Sequence, residues 1–585
     1  MNRRPPVIDG RATLLVSAET SRALDTEAQT EWGFNVFSLV ESAGRLCAQS
    51  LTEAFPAFFT QGSRTKGLRI SVAAGTGNNA ADAMVMLRYF ILSNLVDAGH
   101  SALILSRHPK EGEKGPWVEL LMSLKKMNVS VLVWESAKGE GSLNSIKETF
   151  AQSDIIIDAI TGTGLSGPLR GTALEMAEAI NATAKLPSGP SALTLYERFT
   201  WPTPCYISPS NALTGSGAFT WRPHCPPTSY LLPLTSYLLP LVVSLDLPSG
   251  NFDGWKSGMP IIKADLTLAI EPQKYCLYTP AARPYAGTIV PVNGVFPGEL
   301  IASCKGAELL DWESAGKRVR KVRPDAYKNE RGTVEIWAGS AGASGAALIA
   351  ARGAQAGGAG LVRLVVDDGI YPVLAVGAGG IMVSPVSSEV GFEGRFKPDA
   401  VLLGPGWGTG KDRLEILKKA LVKEGAGTAL ILDADAIELA GLNVFSGNVI
   451  LTPHPGELSK FTGIEKEELL SDTSSILLKC SRDCNGTILF KSHVLTIASP
   501  DGRLAVVDGM RPGLAAGGSG DLLAGLCAAI AARMKREGCF DAYTCAAAAA
   551  SLLVASAGSD GLKTRFTDPL EIADRAADLA GKAWL

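Results

Sequence analysis

In the stretch "LAAGGSGDLLAG" (Leu514–Gly525) a glycine-rich turn runs straight into an apolar helix, with a carboxylate, Asp521, at the junction. Backbone N–H groups at a helix start attract anions, and glycine lets a phosphate approach them closely. A carboxylate in the same place repels that phosphate unless it has a task, such as accepting a proton. The stretch therefore fits a kinase-type transfer loop, a nucleotide-binding module, or a plain tight turn.

Other stretches of the second half end apolar runs at turn or polar residues. "IWAGSAGASGAALIAARGAQAGGAGLV" follows such a run with small residues that permit close packing or ligand approach, and "LLGPGWGTG" (Leu402–Gly410) ends another at a glycine turn. "LTPHPGELSKF" sets His454 and Glu457 just past a run, with Pro453 and Pro455 fixing the backbone, and "LFKSHVLTIASPDG" offers Lys491 near a strand end. Open α/β sheets bind ligands at the C-terminal ends of their strands. Singly each stretch has a structural explanation; as an ordered set they join an anion site to a candidate base.

The first half repeats a strand–glycine loop–helix plan. "SVAAGTGNNAADAMVMLRYF" (Ser71–Phe90) and "IDAITGTGLSGPLRG" follow it, the second with Asp158 at the strand end, and "VVSLDLPSGNFDG" supplies Asp246 and Ser249 at a third strand end. Oxygen ligands on three adjacent loops suit a hard monovalent or divalent cation. The same residues equally suit a Rossmann-like sheet whose polar groups only cap helices.

The elements that must position these groups are legible from periodicity. "SAETSRALDTEAQTEWG" opens with a Ser suited to cap a helix carrying Leu24 and Ala28. Short apolar runs spaced by helical segments ("LRISVAAG", "SALILS", "VSVLVW", "DIIIDAI", "LVVSLDLPSG") predict βαβ units and a mostly parallel sheet. "ADLTLAI" and "AGTIVPVNG" add strands, and the alternation restarts at "GTVEIWAGS". At 585 residues two or more domains are expected. The reading is two tandem three-layer α/β domains, at 1–300 and 326–585, with the charged stretch 301–325 ("GKRVRKVRP") as a solvated linker. Residues 185–240, rich in Pro, Ser and Thr and holding the duplication "TSYLLPLTSYLLPL", read as a poorly ordered insertion, since prolines rule out a regular strand. "CAAAAASLLVASAG" (Cys545–Gly558) reads as a buried helix.

The net charge of −3 gives no electrostatic ground for a nucleic-acid partner. Ten scattered cysteines form no zinc pattern and read as reduced thiols. The start "MNRRPPVIDGRATLLVSAE" lacks an apolar leader region, and no apolar run approaches the ~18–20 residues of a membrane helix, so a cytoplasmic protein without a membrane partner is expected.

The second-half motifs resemble the ribokinase-like superfamily and, within it, the ADP-dependent NAD(P)H-hydrate dehydratases, through "AGS…GAALIAA…GAGLV", "GPGWG", "LTPHPGE" and "AAGGSGDLLAG". The first half resembles, through "GTGNNAAD", "DAITGTGLSG" and "SLDLPSG", the Rossmann-like NAD(P)H-hydrate epimerase domain that precedes the dehydratase in bifunctional repair enzymes. The resemblance implies epimerisation of R- and S-NAD(P)HX and ADP-dependent dehydration of the S form. By it, Lys491, Ser492, His493, Val494, Leu495 and the Gly518, Ser519, Gly520 turn contact the nucleotide, which brings Mg2+. Ala347, Gly406, His454 and Asp521 face the hydrated cofactor, with Asp521 the catalytic base. In the first half Asn79, Asp158 and Ser249 ligate K+. Asn78, Asn79, Asp82, the loop Gly162, Thr163, Gly164, Leu165, Ser166, Gly167, Pro168, and Asp246 bind substrate, with Asp246 transferring the proton. A homo-oligomer is expected, with NADHX, NADPHX and ADP as small-molecule partners.

The family's first loop carries glycines where this chain has Ala80 and Ala81, and their methyls are expected to weaken binding if the backbone there needs a positive φ. The competing reading is a ribokinase-like small-molecule kinase fused to a non-catalytic Rossmann-like scaffold.

Overall fold

The structure, a computed structural model, describes residues 13–59, 67–135, 140–183, 239–388, 397–441, 443–558 and 568–585. The expected insertion 185–240 lies outside the described residues apart from Leu239 and Pro240.

Seven strands form the first sheet, in the order Ser130–Val133, Ser101–Leu105, Ile70–Ala74, Ile155–Ala159, Leu241–Leu245, Leu266–Ile270, Thr288–Val292. All its pairings are parallel. Such strands read as unbroken apolar runs because both faces are covered. Helices Val36–Ala54 and Asn78–Leu92 bury one face with Val72 and Leu103, while Phe150 and Met176 bury the other with Ala73 and Ile156. Ser17 caps the first helix, Ala18–Thr30, through its hydroxyl, which accepts from Thr20 N at 3.0 Å, and Leu24 and Ala28 are buried as expected. Strand order reverses between Ile70–Ala74 and Ile155–Ala159, and that switch point opens a crevice at the strands' carboxyl ends.

The second sheet runs Met382–Pro385, Leu361–Val366, Thr333–Trp337, Ala400–Leu403, Ala429–Leu432, Val449–Leu451, Thr487–Phe490, Val494–Ala498, Leu504–Asp508, Ala307–Leu309, Thr13–Val16, Gln273–Lys274. Its first seven strands are parallel, and the hairpin Val494–Ala498/Leu504–Asp508 continues antiparallel. Here the switch point lies between Thr333–Trp337 and Ala400–Leu403. The helix Ser519–Arg536, which opens at the GGSGD turn, packs against Ser344–Ala356. The two backbones lie so close that a Cβ on Gly525 would stand 2.0 Å from Ala350 O. The alanine- and glycine-rich composition of both helices is what permits this contact. Helix Ala542–Ser556 contains most of the expected buried apolar stretch.

Two expectations need correction. Residues 301–325 are not a solvated linker. They include the strand Ala307–Leu309, which pairs with Leu504–Asp508, and the helix Trp312–Gly316, capped by Asp311. Leu310, Ala315 and Val319 are buried in the second domain's core, while Arg318 bonds Glu308 at 2.6 and 2.9 Å. The charges that suggested solvent thus alternate with core residues. Nor do the domains divide at 300. Thr13–Val16 and Gln273–Lys274, from the first domain's part of the chain, complete the second sheet and cover an edge that would otherwise expose unpaired backbone groups.

Candidate active sites

At the first switch point the side chain of Asn79 sits in the opening turn of the helix Asn78–Leu92. Its Nδ2 donates to Thr161 O (2.8 Å) and Leu245 O (3.3 Å), tying together the three loops. Its Oδ1 is buried and has no hydrogen-bond partner. Asp158, fully buried, accepts from Ser244 Oγ (2.7 Å), Ser249 N (2.8 Å) and Ser249 Oγ (2.5 Å). Burial pushes its pKa up, and these hydrogen bonds oppose the shift. The structure therefore brings Asn79, Asp158 and Ser249 together. An orphaned amide oxygen, one carboxylate and a hydroxyl are hard oxygen donors of low total charge, a set that fits a monovalent cation such as K+.

Asp246 follows the next strand with φ of +61°, a conformation that a non-glycine residue adopts only at a cost of order 1–3 kcal/mol. Its carboxylate meets Lys274 Nζ at 2.6 Å, and both side chains are nearly buried. Lys274 Nζ also donates to Ile270 O at 3.0 Å. Asp82 lies in the same buried cluster. Burial first, then the charges of Asp246 and Asp25, push its pKa well above its ordinary value. Asn78 is exposed, and Gly162–Pro168 form a partly exposed loop beside these groups, with Gly162 against Asn79 and Thr163 O accepting from Arg22.

Ala80 and Ala81 do not weaken this loop through backbone conformation. Both lie within a regular helix without a positive φ, and their methyls are 1% exposed in the core. The sequence reading missed Lys274. It sits in a two-residue strand that belongs to the other domain's sheet, so no strand-end signature marks it.

At the second switch point Gly518 holds the anion turn with φ of +96°, a left-handed conformation that suits glycine. Asp521 follows in the first turn of the helix. Lys491 Nζ pairs with Asp433, and a Cβ on Gly520 would lie 3.4 Å from that same Nζ. Asp433 is buried and also accepts from Thr452 Oγ1 at 2.7 Å. Ala434 follows it with φ of +45°, a second strained position at a strand end. Burial pushes the Asp521 pKa up to about 6, Asp433 and Glu457 push in the same direction, and Lys491 opposes them. Burial likewise raises Glu457. Burial works against the Lys491 charge, but Asp433, Glu457 and Asp521 together raise its pKa. One ammonium thus serves three carboxylates beside a turn of backbone donors.

His454 caps the helix Pro455–Thr462. Its Nδ1 accepts from Gly456 N (2.9 Å) and Glu457 N (3.2 Å), leaving Nε2 to carry the ring proton on an exposed side chain. Gly406 packs against Ala343 in the neighbouring loop, where an added Cβ would lie 2.8 Å from the Ala343 methyl.

The other expected residues of this half lie as follows. Ala347 is fully buried, with its methyl against Gly339. Val494 and Leu495 are buried on their strand. His493 turns its Nε2 to Pro280 O at 2.8 Å, and Ser492 Oγ donates to Val494 O at 2.5 Å. Asp433 was also missed, although "LILDADA" ends an apolar strand in a carboxylate just as "IIIDA" does. Among the described residues no helix is long and apolar enough to cross a membrane.

The fold and the two loop clusters define a Rossmann-like domain joined to a ribokinase-like domain. Residues 334–576 match the family model described as NAD(P)H-hydrate dehydratase, and residues 36–194 match that of the YjeF-related protein N-terminus. With both in this order, the chain belongs to the bifunctional NAD(P)H-hydrate repair family. The repair enzyme of Moorella thermoacetica is 25% identical over 94% of this chain and 93% of its own. That of Gloeobacter violaceus is 32% identical over 53% of this chain and 64% of its own. Among solved structures, a ribokinase-like superfamily protein of Enterococcus faecalis is 27% identical, covering 47% of this chain and 95% of its own at a TM-score of 0.41.

Proposed function

We propose that the chain repairs hydrated nicotinamide cofactors: the first domain interconverts R- and S-NAD(P)HX, and the second dehydrates the S form at the expense of ADP. The observation that supports this most is the Asp521–Lys491–Asp433 cluster around the glycine turn. In the substrate, water added across the nicotinamide 5,6 double bond leaves a hydroxyl at C6. Hydroxide leaves poorly and phosphate leaves well. Asp521 takes the proton of the C6 hydroxyl as the hydroxyl oxygen attacks the terminal phosphorus of ADP and AMP departs; phosphate then leaves C6 and a C5 proton is lost to water as the 5,6 double bond re-forms. The N–H groups of Gly518–Gly520 stabilise the transferring phosphoryl group.

Lys491, held by Asp433, neutralises charge on the diphosphate. Mg2+ accompanying the nucleotide would offset phosphate charge beside Lys491. We assign Asp246 the proton transfer of epimerisation, with Gly162–Pro168 against the substrate, and a homo-oligomer in the cytoplasm.

Incubation with hydrated NADH plus ADP should restore nicotinamide absorbance and release AMP. A stable phosphorylated product instead would favour the small-molecule kinase. For the cation site, K+ should raise the melting temperature of the full chain more than Li+ does, and Asn79→Ala should abolish the difference. An Asn79→Ala protein with the same K+ response removes Asn79 from the site.

A further inference from the structure

We infer that Arg283, carried by the first domain, is a positioning residue for the phosphoryl-transfer loop of the second. The inference rests on the dehydratase reading above. Arg283 is buried, and its guanidinium grips Asp508: Nε donates to both carboxylate oxygens (3.1 and 3.0 Å) and Nη2 to Oδ2 (2.8 Å). Nη1 donates to Gly287 O at 2.7 Å, which fixes the direction of the fork. A planar guanidinium held at both ends imposes an orientation on its carboxylate as well as a charge.

Asp508 ends the strand Leu504–Asp508, and the chain from Gly509 runs on to the Gly518 turn and Asp521. In the hairpin register Asp508 stands opposite Val494, beside the turn that carries Lys491. The same segment of the first domain holds that turn as well. Pro280 O meets His493 Nε2 at 2.8 Å, and Ala281 N donates to Leu470 O at 3.1 Å. Gly509 packs against His493, where an added Cβ would lie 3.0 Å from its carbonyl oxygen, so the two segments are held together. Pro280–Arg283 thus anchors both chain segments that lead into the nucleotide side of the site. It begins only a few residues after Lys274, which serves the other site.

A bridge that merely joined the domains would affect stability and leave turnover per folded molecule unchanged. Positioning predicts a kinetic effect confined to one activity. Arg283→Ala should lower kcat for ADP-dependent dehydration about tenfold, within the ~100-fold that a 1 Å misplacement can cost, with the epimerisation rate unchanged. Asp508→Ala should show the same loss, the double variant no greater loss, and Arg283→Lys only partial recovery because it lacks the fork. Unchanged kcat with a lowered melting temperature, or losses that multiply in the double variant, would overturn the inference. Amide hydrogen exchange gives a readout independent of activity: Arg283→Ala should accelerate exchange across 509–520 and leave 162–168 unaffected. If the wild-type chain shows no dehydration with ADP, the functional reading falls, while unaltered exchange at 509–520 overturns the role of Arg283 itself.

Discussion

Asp521→Asn is expected to lower the rate of ADP-dependent dehydration by about 10²–10⁴-fold, the usual contribution of a positioned general base. Asn keeps the shape of the side chain and its place in the helix Ser519–Arg536 but cannot take the C6 hydroxyl proton. The Asp521 carboxylate is well matched to the proposed task. Burial pushes its pKa up to about 6, and Asp433 and Glu457 reinforce the shift. At neutral pH it is mostly ionised, yet it holds a proton far better than an exposed carboxylate does. The pH profile of kcat/KM should therefore show an acid limb near pH 6, and the residual activity of the Asn variant should lack it.

The same shift carries a stability signature whose sign is fixed. A carboxylate with a folded pKa above its unfolded value binds protons more readily in the native state. Its contribution to stability falls as pH rises from about 4 to about 6 and stays low above that. Asp521→Asn removes this burden, so the unliganded variant should be more stable than wild type at pH 7, by about 3 kcal/mol in urea unfolding. A variant that is slower but more stable identifies a catalytic group. One that is equally active excludes Asp521 from proton transfer.

The parts of this protein that local sequence encodes were legible without coordinates. Parallel strands buried on both faces are unbroken apolar runs, so "DIIIDAI", "LVVSL" and "TALILDADA" announced themselves, and carboxylates at their ends marked Asp158 and Asp246. The Gly518–Asp521 turn was equally legible, because an anion turn needs glycine just before a helix. What stayed hidden depends on pairing across long sequence separations. Thr13–Val16 and Ala307–Leu309 are too short to show a period, and what makes them strands is each other and the edge at Leu504–Asp508. Lys274 reaches Asp246 because a two-residue strand docks on Thr13–Val16, and nothing in "EPQKYCLY" encodes that.

That hidden pair carries the second large effect. Lys274 and Asp246 are each almost wholly removed from water, 2.6 Å apart, with Asp82 in the same cluster. Lys274→Met leaves the Asp246 carboxylate buried without its counter-charge, and breaking such a pair from one side typically costs about 3–5 kcal/mol. Asp246→Asn strands the ammonium in the same way. The double variant Lys274→Met/Asp246→Asn removes both charges and should recover most of the stability lost in either single variant. If the pair were only structural, that recovery would restore epimerisation. With Asp246 as the proton-transfer group, the stable double variant should stay about 10²–10⁴-fold below wild type. Melting temperature and R-to-S conversion measured on the four proteins separate the two roles. Recovery of both would leave the ion pair a structural role alone and remove Asp246 from proton transfer. The second domain supplies an internal control: given the S hydrate and ADP, the double variant should still regenerate the reduced cofactor, because the Lys274 ammonium bonds Asp246 and Ile270 O, whereas Lys491 pairs with Asp433 and Asp521 sits in the helix Ser519–Arg536.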